Sequence, residues 1–206
     1  MGIWGRVFAR FYDRMTAGTE RGGLAARRHD LLANAGGRVL EIGAGTGLNL
    51  AHYPPEVDVV FTEPEEPMAR QLERKLAEAN RPAKVTLAPA EALPFEDDSF
   101  DTVVCTLVLC TVKDPARALS EIGRVLRPGG QLLFLEHVRA DDPGLARWQD
   151  RFAPLWRRVG NGCNCNRPTP SLIEGSPLSV EQIEHGELPK APPIVRPLVV
   201  GRARAA

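Results

Sequence analysis

Five short apolar runs set the limits on what this chain can become. They are "RVLEI" (38–42), "VDVVFT" (57–62), "KVTLA" (84–88), "FDTVVCTL" (100–107) and "QLLFLEHV" (131–138). Each is a near-continuous apolar run, so each is expected to be covered on both faces. Between the second and third stands "EEPMARQLERKLAEA", with Met68, Leu72 and Leu76 on one helical face. Between the fourth and fifth stands "DPARALSEIGRVL" (114–126), with Asp114 as its cap and Pro115 in its first turn. Strands alternating with helices in this way predict a parallel sheet with helices on both faces.

The flanks carry further elements. Residues 2–17 place Ile3, Trp4, Val7, Phe8, Phe11, Tyr12 and Met15 on one helical face, with Arg6, Arg10 and Arg14 opposite. A second helix is expected over about 19–35, with Thr19 as its cap and "GG" at 36–37 ending it. "LNLAHY" reads as the start of another helix, and "ARWQDRFAPLWRRVG" as a later one carrying Trp148 and Trp156. "NGCNCNRPTP" reads as a loop. "SVEQIEHGEL" (179–188) and "IVRPLVVGRARA" (194–205) read as two final strands around a proline-rich turn.

The 206 residues suffice for one domain. Lys and Arg number 26, as do Asp and Glu, so no basic footprint for nucleic acid is present. No apolar run reaches the ~20 residues of a membrane span. The start does not read as a secretory signal. The four cysteines, Cys105, Cys110, Cys163 and Cys165, are expected as free thiols in a cytosolic protein.

Ligands of such sheets bind beyond the carboxyl ends of the strands. That rim holds Glu41, Gly43, Ala44, Gly45, Gly47, Glu63, Ala90, Glu91 and Thr106. The turn "VLEIGAGTGLN" (39–49) spaces its glycines G-x-G-x-G, whereas a pyrophosphate cradle takes G-x-G-x-x-G. Glu41 is a poor neighbour for pyrophosphate and suits a cofactor with an ammonium and a sulfonium. Glu63, at the end of the second strand, is placed to accept two ribose hydroxyls. Dinucleotide folds use the same device, so it leaves a nicotinamide-dependent oxidoreductase open as a rival.

Taken together, "VLEIGAGTG", "AEALPFEDDSFDTVVCTLVL" and "LRPGGQLLFLEH" resemble the class I S-adenosylmethionine-dependent methyltransferases over about residues 10–140. A narrower resemblance, through "CTLVLCTV", "FLEHV", "WQDRFAPLW" and "GCN", is to the mammalian microsomal alkyl-thiol methyltransferases and their bacterial relatives. It does not extend to the long apolar N-terminal anchor of the microsomal enzymes. The resemblance implies a Rossmann-like, doubly wound α/β fold. Its seven-stranded sheet would be mostly parallel with an antiparallel last strand. Residues 1–35 would form a helical lid, 36–140 the cofactor-binding core, and 141–206 the substrate side. It implies S-adenosyl-L-methionine as cofactor and methyl transfer to a small molecule, a thiol foremost, with a quinone, phenol or lipid headgroup as alternatives.

By the same resemblance, Glu41, Asn49 and the backbone from Gly43 through Ala44 and Gly45 to Gly47 would hold the methionine portion. Glu63 would take the ribose and Pro64 would flank the adenine. Ala90 would offer its N–H to the adenine, with Glu91 beside it. Thr106 and Leu107 would border the sulfonium, and Tyr12 would close over the methionine end. Pro89 stands where related enzymes carry an Asp for the adenine amine, and Glu91 is the candidate substitute.

His137 is the candidate catalytic base, against a plain structural hydrogen bond. Cys163 and Cys165 form C-x-C rather than the paired C-x-x-C of structural zinc, so no metal is expected. Cys110 reads as core. The N-terminal helix has two readings: a lid over the cofactor, or a peripheral contact with a membrane surface.

Overall fold

A computed structural model describes residues 3–206. The expected placement of the Ile3 and Trp4 side chains lies outside what it describes. Seven strands form one sheet: β1 (Arg38–Ile42), β2 (Asp58–Thr62), β3 (Val85–Thr86), β4 (Phe100–Thr106), β5 (Leu126–His137), β6 (Leu178–Glu187) and β7 (Pro197–Ala205). Their order is β3-β2-β1-β4-β5-β7-β6. The first five are mutually parallel, and β7 runs antiparallel between β5 and β6. The expected sheet is present, with its antiparallel last strand.

The helices are α1 (Ile3–Thr19), α2 (Ala25–Leu32), α3 (Glu66–Glu78), α4 (Pro115–Val125), α5 (Pro143–Val159) and α6 (Thr169–Glu174). The strands at the middle of the sheet explain their own composition. Val39, Leu40, Ile42, Val103, Val104, Leu132 and Phe134 are all buried, because cores lie on both sides. One core is built with α4, from Leu119 and Ile122, and the other with α2 and α3, from Leu32, Leu72 and Leu76. Asp114 caps α4 as expected, its carboxylate accepting the Arg117 N–H at 3.0 Å.

Four expectations are corrected. Thr19 is no cap: it is helical itself, and α1 runs through a π-helical turn (Glu20–Leu24) into α2, broken at Gly23 with φ +128°. "LNLAHY" gives one 3-10 turn, Leu50–His52, and no helix. Tyr53 precedes Pro54 and is extended, as a residue before proline prefers. β3 keeps two residues of the five expected, since it is an edge strand between Pro82 and Pro89. β5 starts at Leu126 and absorbs "RPGG", with the β4–β5 register slipping between Phe100 and Thr102.

Candidate active site

The carboxyl ends of β1, β2, β4 and β5 converge on one rim. At the end of β1, Glu41 is buried and accepts hydrogen bonds from the Tyr53 hydroxyl (2.7 Å) and Asn49 Nδ2 (3.0 Å). Burial pushes its carboxyl up to about 7 in spite of both donors. The chain then turns through Gly43, Gly45 and Gly47, at φ +58°, +59° and +82°. The three glycines answer to different neighbours. A Cβ on Gly43 would lie 2.7 Å from Val108, and one on Gly47 2.7 Å from Leu72. Among the described residues, a Cβ on Gly45 would meet only the Gly43 carbonyl, at 4.0 Å. Gly43 and Gly47 therefore serve packing, and Gly45 faces open space.

The loop is tied to the end of β2. Ala44 N–H donates to the Thr62 carbonyl (2.9 Å). Gly45 N–H donates to Glu63 Oε2 and Glu65 N–H to Glu63 Oε1, each at 2.8 Å. Burial raises the Glu63 carboxyl to about 7, against these two donors. Pro64, exposed, follows it.

The N-terminal helices close on this loop. Arg28 of α2 is buried at 3% exposure and reaches Asn49 Oδ1 (2.8 Å) and Thr106 Oγ1 (3.0 Å), with Glu20 on its other edge. Asn49 Nδ2 also donates to Thr106 Oγ1, at 2.9 Å. One network thus links Glu41, Asn49, Thr106 and Arg28. Thr46 donates to Asp13 of α1 (2.5 Å), and Asp13 pairs with Lys75 of α3 (2.7 Å). Gln71 of α3 donates to the Ala9 carbonyl at 2.6 Å. Tyr12 sits beside Asp13, half-buried, and its hydroxyl is pushed up to about 12 by burial.

Past β4 the backbone enters the left-handed region at Leu107, φ +59°, which a branched-chain residue adopts only under constraint. The constraint is Glu136, fully buried in β5. Its carboxylate collects the N–H groups of Val108 (2.8 Å), Leu109 (2.9 Å) and Cys110 (3.4 Å) and the Cys105 thiol (3.2 Å). The next residue, His137, turns Nε2 to Cys163 Sγ at 3.1 Å, and Trp156 Nε1–H donates to the same sulfur at 3.0 Å. One atom each of Cys110, His137 and Cys163 falls within a 4.8 Å cluster, all three residues being buried. The neighbouring Cys110 thiol and the His137 imidazole draw Cys163 down to about 5, while Cys110 is pushed up by Cys163 and by burial. Burial presses His137 down, but the hydrogen bond and charge of Cys163 outweigh it and leave the imidazole above its usual value.

Of the other rim residues, Ala90 is buried. The Glu91 carboxylate turns to the N–H groups of Lys113 (2.8 Å) and Asp114 (3.2 Å), at the start of α4. It is engaged with the protein rather than free at the rim.

A family model described as "Methyltransferase domain" matches residues 40–134. Human thiol S-methyltransferase TMT1B is 40% identical over 179 residues, 84% of this chain and 73% of that protein. Human thiol S-methyltransferase TMT1A is 38% identical over 170 residues, 80% of this chain and 69% of that protein. The chain belongs to the class I S-adenosylmethionine-dependent methyltransferases, in the thiol S-methyltransferase group. A crystal structure of a SAM-dependent methyltransferase from Thermotoga maritima superposes with a TM-score of 0.70 and 25% identity, covering 97% of this chain and 99% of that one.

The residues of this methyltransferase fit the cofactor that its family uses. Gly45 keeps side-chain atoms out of the space beside Glu41 and Glu63, the two carboxylates suited to an ammonium and a ribose. Arg28, Asp13, Glu136 and Cys163 join the site without having been expected there. Arg28 lay in an ordinary polar stretch of a helix, and only the fold brings it to Asn49 and Thr106. Cys163 carried a signal in "GCN", but nothing local to join it to His137.

Proposed function

We propose that this methyltransferase moves the methyl group of S-adenosylmethionine to the sulfur of a small thiol. The observation that carries the reading is the reach of the likeness to the thiol S-methyltransferases. It runs over 179 residues, well beyond the 40–134 span of the methyltransferase domain, and so takes in part of the chain outside the cofactor core.

The cofactor supplies an electrophilic methyl on a sulfonium, and the chain supplies position. Glu41 would take the ammonium and Arg28 the carboxylate of the methionine portion, with Asn49 and Thr106 holding both side chains in place. Glu63 keeps lone pairs for the ribose hydroxyls beyond those that bind Gly45 and Glu65. Pro64 would flank the adenine and the Ala90 backbone would meet its edge, while Glu91 organises the loop at Lys113. Thr106 and Leu107 would border the sulfonium. The acceptor sulfur must come within about 3–3.5 Å of the methyl carbon, opposite the departing sulfur. Asp13 ties α1 to the glycine loop and α3, where Tyr12 would cover the methionine end and help keep water out.

The acceptor side is the wall of Cys110, His137, Cys163 and Trp156. A thiol of ordinary pKa is only a few per cent thiolate at neutral pH, so anything there that favours the anion raises the rate. The exposed stripe of Val7, Phe11 and Met15 on α1, flanked by Arg10 and Arg14, supports a peripheral contact with an anionic lipid surface, from which apolar thiols would arrive.

A panel of thiols, phenols, quinones and amines with methyl-labelled cofactor, scored by product mass, tests the assignment. Thioether products are expected. Labelled phenol or quinone products with no thioether would replace it.

A further inference from the structure

Cys110, His137 and Cys163 come from three separate parts of the chain: the loop after β4, the last residue of β5 and the loop after α5. Their ligand atoms lie within 4.8 Å of one another, with 3.1 Å between Cys163 Sγ and His137 Nε2. Four-coordinate zinc bonds sulfur at about 2.3 Å and imidazole nitrogen at about 2.0–2.1 Å. Tetrahedral angles then put the ligand atoms roughly 3.5–3.8 Å apart. The trio needs only small side-chain movements to meet that geometry.

The surroundings have the features of a supporting shell. Glu136 fixes the Cys110 backbone through three adjacent N–H groups. Trp156 Nε1–H points at the Cys163 sulfur, as N–H donors do toward metal thiolates. His137 would ligate through Nε2, the nitrogen that faces Cys163, while its Nδ1 is buried without a partner among the described residues, so the ring is held by packing rather than by a second hydrogen bond. The carbonyl of Leu107 lies 3.5 Å from Cys110 Sγ, so the trio adjoins the turn assigned to the sulfonium.

We propose that Cys110, His137 and Cys163 bind one zinc-class divalent cation, with a fourth position open to the acceptor thiol. The set differs from the C-x-C pair that the sequence reading set aside, because only Cys163 belongs to both. Two thiolates and one imidazole with an open position are a donor set of catalytic zinc. Cation binding expels the protons of both cysteine thiols, and acceptor binding expels the proton of the acceptor thiol, all three to water. A lone pair on the acceptor sulfur then forms the new S–C bond. The C–S bond of the sulfonium breaks with its electron pair passing to that sulfur, giving a neutral thioether on each side. A thioether is the weaker ligand and leaves.

The proposal rests on the thiol reading above, and the experiment separates the two. Purified full-length protein is stripped with chelator, kept reduced and titrated with cobalt(II), followed by absorbance. One equivalent should bind with a sulfur-to-cobalt charge-transfer band, and zinc should displace it. The double variant Cys110→Ser/Cys163→Ser should lose that band while keeping cofactor affinity, which reports on its fold. Trp156→Phe should keep the stoichiometry and weaken binding about ten- to a hundredfold. Thiol turnover should fall about tenfold on stripping, as the thiolate fraction drops, and return with zinc.

No band in the wild-type chain, whatever the variants do, overturns the site. A band unchanged in the double variant does the same. Thiol methylation indifferent to stripping overturns acceptor ligation and leaves the thiol reading standing. A bound cation with no thioether product from any thiol overturns the thiol reading instead, and with it acceptor ligation.

Discussion

Glu63 Oε2 accepts the Gly45 N–H at 2.8 Å, so the carboxylate at the end of β2 shapes the glycine loop. Glu63→Ala removes that support together with the proposed ribose contact. Cofactor affinity should fall by about 1.5–3 kcal/mol, the range for hydrogen bonds to a charged group, read as the dissociation constant by calorimetry. Wild-type affinity in a folded variant would remove Glu63 from the ribose site.

Gly45 and Gly47 should separate binding from stability. Both need the left-handed backbone, which costs a side-chain residue about 1–2 kcal/mol. Gly45→Ala adds little else, because its Cβ meets open space, and should weaken cofactor binding beyond its effect on stability. Gly47→Ala collides with Leu72 and should lower the Tm by more. Equal effects of the two on cofactor affinity would return Gly45 to a purely structural role.

Cofactor binding should release protons near neutral pH. Glu41 and Glu63 both titrate at about 7 in the free protein, because burial disfavours their charge. The cofactor ammonium beside Glu41 favours the carboxylate, so affinity should rise with pH up to about 7 and level off above. In the free protein the sign for stability is opposite. A raised carboxyl pKa gives stability that is present below the unfolded value and is lost as pH rises through about 7. Calorimetry in buffers of different ionisation heat counts the protons. Uptake of protons at pH 6.5 would contradict the assignment of Glu41.

Asp13 should matter more to turnover than to cofactor affinity. Its carboxylate joins Thr46 of the glycine loop to Lys75 of α3 and so pins α1. A half-exposed pair of this kind contributes up to about 1 kcal/mol. Asp13→Ala should therefore reduce kcat on a soluble thiol about fivefold, with a smaller change in the dissociation constant. Phe11→Ser, on the exposed stripe, should leave that kcat intact and reduce pelleting with anionic liposomes. The reverse pattern would make α1 an anchor rather than a lid.

The sheet was legible because each central strand is apolar on both faces, and the glycine loop because Gly43, Gly45 and Gly47 all need φ above zero. The single turn at Leu50–His52 was not read, because the apolar "LNLAHY" suggested a helix and the following Pro54 was not weighed against it. What could not be read is what the fold joins over distance. Arg28 meets Thr106 across 78 positions, and Cys163 meets His137 across 26. Neither pair has a local periodicity to announce it. Glu136 looked like a polar residue at a strand end, yet it is the anchor of the loop that follows a different strand.

The buried amide of Gln149 on α5 reaches three separate stretches of backbone. Its Nε2 lies 2.9–3.0 Å from the carbonyls of Val138, Cys165 and Ile194, which share its two hydrogens, and its Oε1 accepts the Ala140 N–H at 2.8 Å. Consequently the inner side of α5 is locked to the sheet while its outer side, with Trp148 and Leu155 exposed, carries no such duty. Substitutions on that outer side should therefore leave the position of Cys163 undisturbed.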